Sequence, residues 1–367
     1  MFEICLSELE KEANDDIDIN KEKDLLEMEN VAAISIRKCS NEQINILEST
    51  EKRVLVTGPA GSGKSMIAMI KAMDLYNNNV NFKIIIYTKA LSRYIIGRLK
   101  RVELKNIEKN ILVGESFINR DIEINANYVL IDEVQDYSIE KIEKCCGYAS
   151  DGYLLFGDDS QQVYPKRTNK KDIISELRKK KIKESKLSVA YRFPKKIALF
   201  SELIKDNPGD ISSLCSEVGS EENIPKIIEF KSGEDEIEYI INIISNEGWK
   251  DVGILARNNP MVDYLNECFL KKKFVCEYKN KDYDNLDFTT DVPKIVTYHS
   301  SKGLEFDRVI IPQCDVDEDE KSELNYREAF YVACTRAKKT LIISYISGHK
   351  SPFLNRIDKK YYKFEGR

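Results

Sequence analysis

Histidine, tryptophan and proline are scarce in this chain of 367 residues, which has 2 His, 1 Trp and 9 Pro. Because His299 and His349 are the only histidines, a histidine-rich metal site is excluded. The nine cysteines form no C-x-x-C pair, so the sequence predicts reduced thiols and a cytoplasmic protein. The apolar runs are far too short to span a bilayer, and the acidic amino-terminal stretch lacks the pattern of a secretory signal, so no membrane association is expected.

Positive charge is also in deficit overall, but it is unevenly distributed. The net charge is −5, while residues 1–30 hold eleven Asp or Glu against three Lys, which leaves about +3 for the remainder. Between Lys166 and Lys186 there are ten Lys or Arg against three acidic residues. This basic run suits contacts with the phosphates of a nucleic acid, and it suits a solvated helix equally well.

A glycine-rich loop lies between an apolar strand at 53–57 and a helix that begins near residue 66. The loop reads Gly58-Pro59-Ala60-Gly61-Ser62-Gly63-Lys64-Ser65. Strand, glycine loop and helix in this order are typical of phosphate-binding loops, whose backbone N–H groups surround an anion at the helix start. Lys64 is then expected to reach the β and γ phosphates, and the Ser65 hydroxyl to ligate Mg²⁺. The loop therefore predicts a nucleoside triphosphate site.

Two further features supply the chemistry that hydrolysis of a triphosphate needs. Asp132 and Glu133 end an apolar strand, where Asp132 is placed to hold Mg²⁺ and Glu133 to polarise the attacking water. The alternative is an acidic helix start. Positive charge on the leaving phosphates can come from Arg192 or Arg336, although either could be an ordinary surface arginine.

Strands and helices alternate along the chain, which predicts parallel sheets with helices on both faces. Only the first half carries a glycine loop, and the second half ends with a predicted helix over Ser322–Lys338 and a closing strand over Thr340–Tyr345. We therefore expect two similar α/β domains, with a break near Leu187–Pro194. The predicted boundaries are an acidic extension at 1–39, a first domain at 40–190, a second at 191–348 and a tail at 349–367.

Read together, these segments resemble the motifs of superfamily 1 helicases, in the UvrD/Rep-like branch. The matching segments in chain order are Asn41-Glu42-Gln43, Gly58–Ser65, Asp132–Asp136, Gly157–Tyr164, Tyr191-Arg192, Thr297–Phe306 and Val332–Ala337. The resemblance implies two RecA-like domains with parallel sheets flanked by helices, and ATP with Mg²⁺ bound in the cleft between them. It also implies single-stranded DNA as partner, with RNA left open.

The resemblance also assigns roles to single residues. Nucleotide contacts beyond the glycine loop fall to Gln43, Tyr191, Gly303 and Glu305. Catalytic roles fall to Lys64, Glu133, the γ-phosphate sensor Gln161 and the arginine fingers Arg192 and Arg336. Base stacking falls to Tyr164, and Thr297 is a further nucleic-acid candidate. Tyr87, Tyr94 and His299 are weaker stacking candidates, each of which could equally be a core or capping residue.

The chain departs from the processive members of this family, because the spacing of its motifs leaves no room for their large inserted subdomains. Three functions therefore remain in competition. The first is a compact ATPase that translocates on single-stranded DNA, 3′ to 5′ by family likeness, and unwinds duplex. The second is a nucleic-acid-sensing ATPase subunit that regulates a partner such as a nuclease in a bacterial defence system. The third is a nucleotide-binding scaffold without turnover, which the set of Glu133, Arg192 and Arg336 disfavours.

Overall fold

The computed structural model describes residues 39–101, 107–114, 125–158, 172–191, 194–205, 211–215, 220, 223–315 and 325–367. Its α-helices are α1 Asn41–Glu48, α2 Lys64–Asn77, α3 Lys89–Arg101, α4 Ile139–Gly147, α5 Ile173–Arg178, α6 Lys195–Glu202, α7 Gly233–Asn246, α8 Asn259–Lys271 and α9 Tyr326–Cys334. Its strands are β1 Arg53–Thr57, β2 Phe82–Ile86, β3 Ile111–Val113, β4 Ala126–Ile131, β5 Ala149–Gly157, β6 Lys183–Lys186, β7 Lys226–Phe230, β8 Val252–Ala256, β9 Glu277–Tyr278, β10 Lys294–Thr297, β11 Phe306–Ile311, β12 Ala337–Ile346 and β13 Lys363–Gly366.

These strands form two sheets in which the paired strands run parallel. The first has the order β3-β2-β4-β5-β1-β6 and the second the order β13-β7-β12-β11-β8-β10-β9. Read from the other edge, strands β10-β8-β11-β12-β7-β13 of the second sheet repeat the chain-order pattern of the first. The expected pair of similar α/β domains is therefore confirmed.

The order of the first sheet brings the predicted chemical groups to one edge. Strands β4, β5 and β1 are neighbours, with Ile131 paired to Leu155 and Thr57 paired to Gly157. The acidic pair follows β4 and the glycine loop follows β1. Because the carboxyl ends of parallel strands lie on the same side of a sheet, these segments converge there.

Helix α1 begins with a capping box formed by Ser40 and Gln43. The Ser40 side chain accepts from the Gln43 backbone N–H, and the Gln43 side chain accepts from the Ser40 N–H. This reciprocal capping box satisfies two N–H groups that a helix start otherwise leaves unpaired. It also fixes the position of Gln43.

The predicted helix over Ser322–Lys338 is wrong in its second part. Helix α9 ends at Cys334, and β12 begins at Ala337, two residues after Thr335 caps the helix. The predicted start lies outside the described residues. Helical periodicity continues through Ala337, but pairing of β12 with β11 and β7 overrides it.

Edge strands were not predicted, because they are short and charged. Part of the basic run forms α5 and β6, with ion pairs from Arg178 to Glu184, Lys179 to Glu176 and Lys180 to Glu143. These contacts favour the solvated-face interpretation for residues 172–186. Likewise β13, within the predicted tail, pairs with β7 and extends the second sheet.

One large apolar cluster contains buried residues of both domains, such as Leu130 and Phe156 from the first sheet and Val296, Leu304 and Phe306 from the second half. A second cluster, which includes Ile254 and Phe269, covers the other face of the second sheet. The second sheet therefore shares one face of its core with the first domain. Within the described ranges, no helix combines the length and apolar character needed to cross a membrane.

Candidate nucleotide site between the two domains

The glycine-rich loop turns between β1 and α2 with a backbone that favours glycine. Gly61 and Gly63 have φ of 74° and 92°. A Cβ on Gly63 would lie 2.7 Å from Gln43 Nε2, and a Cβ on Gly58 would lie 2.8 Å from Leu187 Cβ. No side chain caps the start of α2, where Gly63 is the N-cap. The first N–H groups of the helix are therefore open to an anion, as a phosphate-binding loop requires.

Lys64 folds back over the loop that carries it. Its Nζ donates to the carbonyl oxygens of Gly58 at 2.7 Å and Pro59 at 2.9 Å. The same atom lies 3.6 Å from Asp158 Oδ2, at the end of β5. A phosphate group would have to compete with these oxygens for the ammonium. Since Lys64 is almost completely buried, the competition takes place away from bulk water.

Ser65 and Asp132 meet where the sequence predicts an Mg²⁺ site. The Ser65 hydroxyl donates to Asp132 Oδ2 at 2.8 Å. Burial, and next the neighbouring Glu133 charge, raise the pKa of Asp132 to about 6. No group of three or more His, Cys, Asp or Glu in the described ranges could hold a metal on its own. Two hard oxygen donors fit Mg²⁺, which commonly takes one or two protein oxygens and completes its shell with phosphate and water.

Glu133 has an unusual backbone for its residue type, with φ of 56° in the left-handed region. Such strain is rare outside glycine and clusters at functional sites. Its Oε2 accepts a hydrogen bond from Gln135 Nε2 at 2.5 Å. Burial opposes ionisation, but the charges of Lys302 and Lys64 outweigh it and lower the pKa of Glu133. The carboxylate is therefore ionised at neutral pH, as a group that polarises water must be.

Gln135 connects the two acidic segments of the first domain. While its Nε2 donates to Glu133, its Oε1 accepts from the Asp158 N–H at 3.1 Å. The orientation of the Glu133 carboxylate is thus tied to the end of β5. This bridge requires that the 3₁₀ turn Val134–Asp136 carry Gln135 back over the sheet edge.

Lys302 is a residue of the second domain that contacts the acidic groups of the site, and no role was predicted for it from the sequence. The side chain is 1% exposed, and its Nζ forms an ion pair with Asp136 and lies 3.3 Å from Glu133 Oε2. The nearby Asp136 and Glu133 charges outweigh burial and raise the pKa of Lys302. Lys302 stands in the segment Thr297–Phe306 that resembles a helicase motif, which was the available signal. A lysine that forms ion pairs with two buried acids of the other domain joins the domains at the predicted catalytic carboxylate.

Arg336 reaches the same region from the turn between α9 and β12. Its Nε donates to Val332 O at 2.8 Å, its Nη2 to Thr335 Oγ1 at 2.9 Å and its Nη1 to Leu304 O at 3.4 Å. Its charge contributes to lowering the pKa of Glu133. The structure therefore brings Arg336 near Glu133, the predicted catalytic carboxylate, while its guanidinium donates to carbonyl and hydroxyl oxygens of its own domain.

Gln43 and Tyr191 both contact the glycine loop. Gln43 Nε2 donates to Ser62 O at 2.9 Å, and the Tyr191 N–H donates to Gly61 O at 2.9 Å. The Tyr191 side chain is 42% exposed, so its ring is free to serve as a stacking surface beside the loop. Ala60 packs with Ala190, which fixes the loop against the segment that precedes Tyr191.

Gly303 and Glu305 flank Leu304 on the second-domain side of the cleft. Gly303 has φ of 80°, and a Cβ there would lie 2.4 Å from Leu91 Cδ2 of α3. The close approach explains why a glycine is needed at this contact between domains. Glu305 immediately precedes β11. Their predicted nucleotide contacts remain predictions.

The weaker nucleic-acid candidates lie together, but they are not all accessible. Tyr87 is 3% exposed, and its ring packs edge-on against Tyr137 at 5.2 Å and His299 at 5.8 Å. In this conformation Tyr87 is a core residue, which was the alternative reading. Thr297 Oγ1 accepts from the Ser300 N–H at 3.1 Å and so caps the turn. Gln161, Tyr164 and Arg192 lie outside the described residues.

Comparison with known proteins agrees with this geometry. Residues 277–348 match the family model of the UvrD-like helicase C-terminal domain. A protein of Acanthamoeba polyphaga mimivirus, provisionally named an ATP-dependent DNA helicase, is 22% identical over 90% of this chain and 57% of its own length. A Mycoplasma pneumoniae protein, provisionally named a DNA helicase, is 23% identical over 69% of this chain and 51% of its own.

A shorter stretch has a stronger match. The RecB subunit of the RecBCD enzyme of Chlamydia pneumoniae is 43% identical over 75 residues, which are 20% of this chain and 7% of that subunit. The chain spans somewhat more than half the length of the two helicase-named relatives. The resemblance found in the motifs is confirmed: this chain is similar to the UvrD-like helicases, and its residues 277–348 match the family model of their C-terminal domain.

Proposed function

We propose that the chain is an ATP-driven nucleic-acid motor that hydrolyses ATP between its two domains and moves along single-stranded DNA. The contact between Glu133 of the first domain and Lys302 of the second, at 3.3 Å, carries the proposal. Because the predicted catalytic carboxylate is contacted by a cation of the other domain, a change at the nucleotide can be transmitted to the domain arrangement. The named helicase relatives support a role on DNA.

Each side chain has a task that its position allows. The open N–H groups of the glycine loop and Lys64 bind the β and γ phosphates. Ser65 and Asp132 would hold Mg²⁺, which supplies positive charge to those phosphates when bound. The ionised Glu133 orients and polarises the attacking water. Tyr191 offers its exposed ring to the adenine, and Gln43 positions the loop through Ser62.

Arg336 and Arg192 are the proposed cations for the charge that develops on the γ phosphate. Arg336 would exchange its bonds to Val332 and Leu304 for phosphate oxygens as the cleft closes. Loss of the γ phosphate would reverse the exchange, so that opening follows hydrolysis. Repeated on a bound strand, this cycle gives translocation, with 3′ to 5′ direction and duplex unwinding proposed on family likeness.

The test measures the ATPase rate with single-stranded, duplex and tailed DNA, and with RNA of the same sequences. Lys64→Ala is the blank, and Glu133→Gln separates binding from turnover because it keeps the shape of the side chain. We expect single-stranded DNA to increase the ATPase rate of the wild type, and we expect no such increase in either variant. A wild-type rate that no nucleic acid changes would contradict the motor proposal.

A second candidate is an ATPase subunit that senses nucleic acid and regulates a nuclease. The match to part of the RecB subunit of an enzyme complex favours it, together with the acidic residues 1–30. Purification of the full chain from its own host should then yield a complex whose nuclease activity depends on ATP and on Glu133. A monomeric chain without associated nuclease would contradict it.

We also propose a cytoplasmic location. The cysteines in the described part of the chain form no disulfide bonds, which fits this location.

A further inference from the structure

A loop of the second domain, residues 280–290, lies between β9 and β10 and is ordered by its own side chains. Asn280 Oδ1 accepts from the N–H groups of Asp282 at 2.9 Å and Tyr283 at 2.6 Å. Asp287 Oδ1 accepts from the N–H and hydroxyl of Thr289. We call this segment the clasp loop. Because these bonds are internal, the loop presents a fixed surface to its neighbours.

Helix α3 of the first domain bonds to the clasp loop through one arginine. Arg93 Nε lies 3.0 Å from Asp284 Oδ2, Nη1 donates to Leu286 O at 3.3 Å, and Nη2 donates to Asp284 O at 3.4 Å. Three nitrogens of one guanidinium thus bind one short segment. An arginine fork held at several points has a defined geometry that a lysine would not reproduce.

Apolar contacts continue the attachment along α3. The Tyr94 ring packs edge-on against Phe288 at 5.2 Å. Gly97 lies under the same residue, where an added Cβ would be 3.6 Å from Phe288 Cβ. Leu286 is buried in the apolar cluster that both domains share. The contact therefore has both a polar and an apolar part.

The clasp loop is separate from the nucleotide site in its chemistry. The contacts given above for the clasp loop are internal or lie on α3, and the glycine loop, the acidic pair, Lys302 and Arg336 take no part in them. By contrast, Lys64 and Arg336 bond to groups with which a triphosphate must compete. The attachment between the domains at the nucleotide site is the contact of Lys302 with Glu133, so binding and loss of nucleotide would act on that contact and leave the clasp loop in place.

We propose that the clasp loop and α3 form a permanent pivot, about which the second domain rotates when the nucleotide site closes and opens. The motion itself rests on the proposed function, whereas the attachment does not. The pivot adjoins the predicted nucleic-acid side, since α3 begins two residues after Tyr87 and β10 ends at Thr297. Rotation about it keeps these two residues near each other while the contacts at Glu133 change.

The test uses small-angle scattering of the full chain without nucleotide or nucleic acid. Arg93→Asp and Asp284→Arg should each increase the radius of gyration, and the double variant should restore the wild-type value by exchanging the charges. Lys272→Ala removes an ion pair confined to the second domain, with Glu234 and Glu238, and should leave it unchanged. Equal radii for the wild type and both single variants would overturn the pivot.

A second pair of variants avoids charge. Gly97→Ala fills space at ordinary contact distance and should keep the wild-type radius, whereas Gly97→Leu should displace Phe288 and increase it. Circular dichroism verifies that each variant is folded. ATPase rates then separate the two proposals: with the pivot lost, stimulation by single-stranded DNA should fall while the unstimulated rate is kept. If the wild type shows no stimulation, the motor fails, and the scattering still decides the pivot.

Discussion

The two domains share one sheet topology, but the helix that follows the corresponding strand differs between them in the capping and charge of its first turn. Helices α2 and α7 both have 14 residues and follow β1 and β7. The start of α2 has no side-chain cap and no acid in its first turn. The start of α7 is capped by Ser232, whose hydroxyl accepts from the Asp235 N–H at 3.2 Å, and its first turn is acidic, with Glu234, Asp235 and Glu236.

This difference explains why a phosphate site is proposed in the first domain and not in the second. Open N–H groups and the helix dipole attract an anion at α2. At α7 the Ser232 hydroxyl already accepts from one of the first N–H groups of the helix. The carboxylates of the first turn interact favourably with the helix dipole and would repel a phosphate. The second domain instead provides cations from other elements, Lys302 and Arg336. In the proposed function, the start of α2 binds the phosphates, and Lys302 and Arg336 of the second domain respond to them.

The largest effect on stability and activity is expected from substitution of Lys302, a cation that the second domain provides. Lys302→Ala removes the buried cation that pairs with Asp136 and lies beside Glu133, so we expect a loss of about 3–5 kcal/mol in the free energy of unfolding, together with loss of ATPase activity. Urea unfolding and turnover measure both. Lys338→Ala, which removes a half-exposed lysine between Asp251 and Asp307, should cost about 1 kcal/mol or less. If Asp136→Asn in a Lys302→Met background restores no stability, the buried pair is not the cause.

The second prediction contrasts a lysine near the start of α2 with one near the start of α7. Lys64→Ala should reduce the ATPase rate by about 10²–10³-fold, because a preorganised cation at the phosphates is lost. Lys231→Ala, an exposed lysine after β7, should change the rate by less than a factor of about two. Equal effects of the two substitutions would refute the assignment of the phosphate site to the first domain alone.

The third prediction concerns pH and the second domain. Burial raises the pKa of Glu328 to about 7 from an ordinary value of 4.5, with Lys205 lowering it to a smaller extent. The folded chain therefore keeps this proton to higher pH than the unfolded chain. The stabilisation is fully present below about pH 4.5 and is lost as the pH rises to about 7, by at most about 3 kcal/mol. Glu328→Gln should flatten this slope in unfolding experiments between pH 5 and 8, and identical slopes would exclude Glu328.

The smallest effect is expected at the cap of α7. Ser232→Ala removes the acceptor for the Asp235 N–H and should cost about 1 kcal/mol of stability without changing the ATPase rate. Thermal unfolding and turnover at saturating ATP measure the two quantities. A change in turnover would show that α7 takes part in the nucleotide site, contrary to the comparison of the domains.

Local patterns in the sequence were sufficient to predict the two parallel sheets and the glycine loop. Apolar strands such as β4 and β8 and the cap at Ser40 are encoded by neighbouring residues, so their positions follow from periodicity and capping rules. Convergence of Lys64 with Asp132 followed from the rule that parallel strands end on one side. These expectations needed no information about distant contacts.

Other features could not be predicted, because they depend on partners far along the chain. The helicase-like segment Thr297–Phe306 contains Lys302, but its ion pair with Asp136 depends on a residue 166 positions earlier in the chain. The Tyr87 ring could have stacked on a base, and its burial depends on Tyr137 and His299. The end of α9 was misplaced because β12 gains its pairing from two other strands.

The apolar cluster shared by the domains has a consequence for the fate of damaged chains. Leu304 and Phe306 lie in the same buried cluster as Leu130 and Phe156, so separating the domains would transfer apolar surface from both into water. Neither half is therefore expected to be a soluble fragment when expressed alone. A mutation that unfolds one half should expose apolar surface on the other half. Aggregation or proteolysis would then remove the whole molecule.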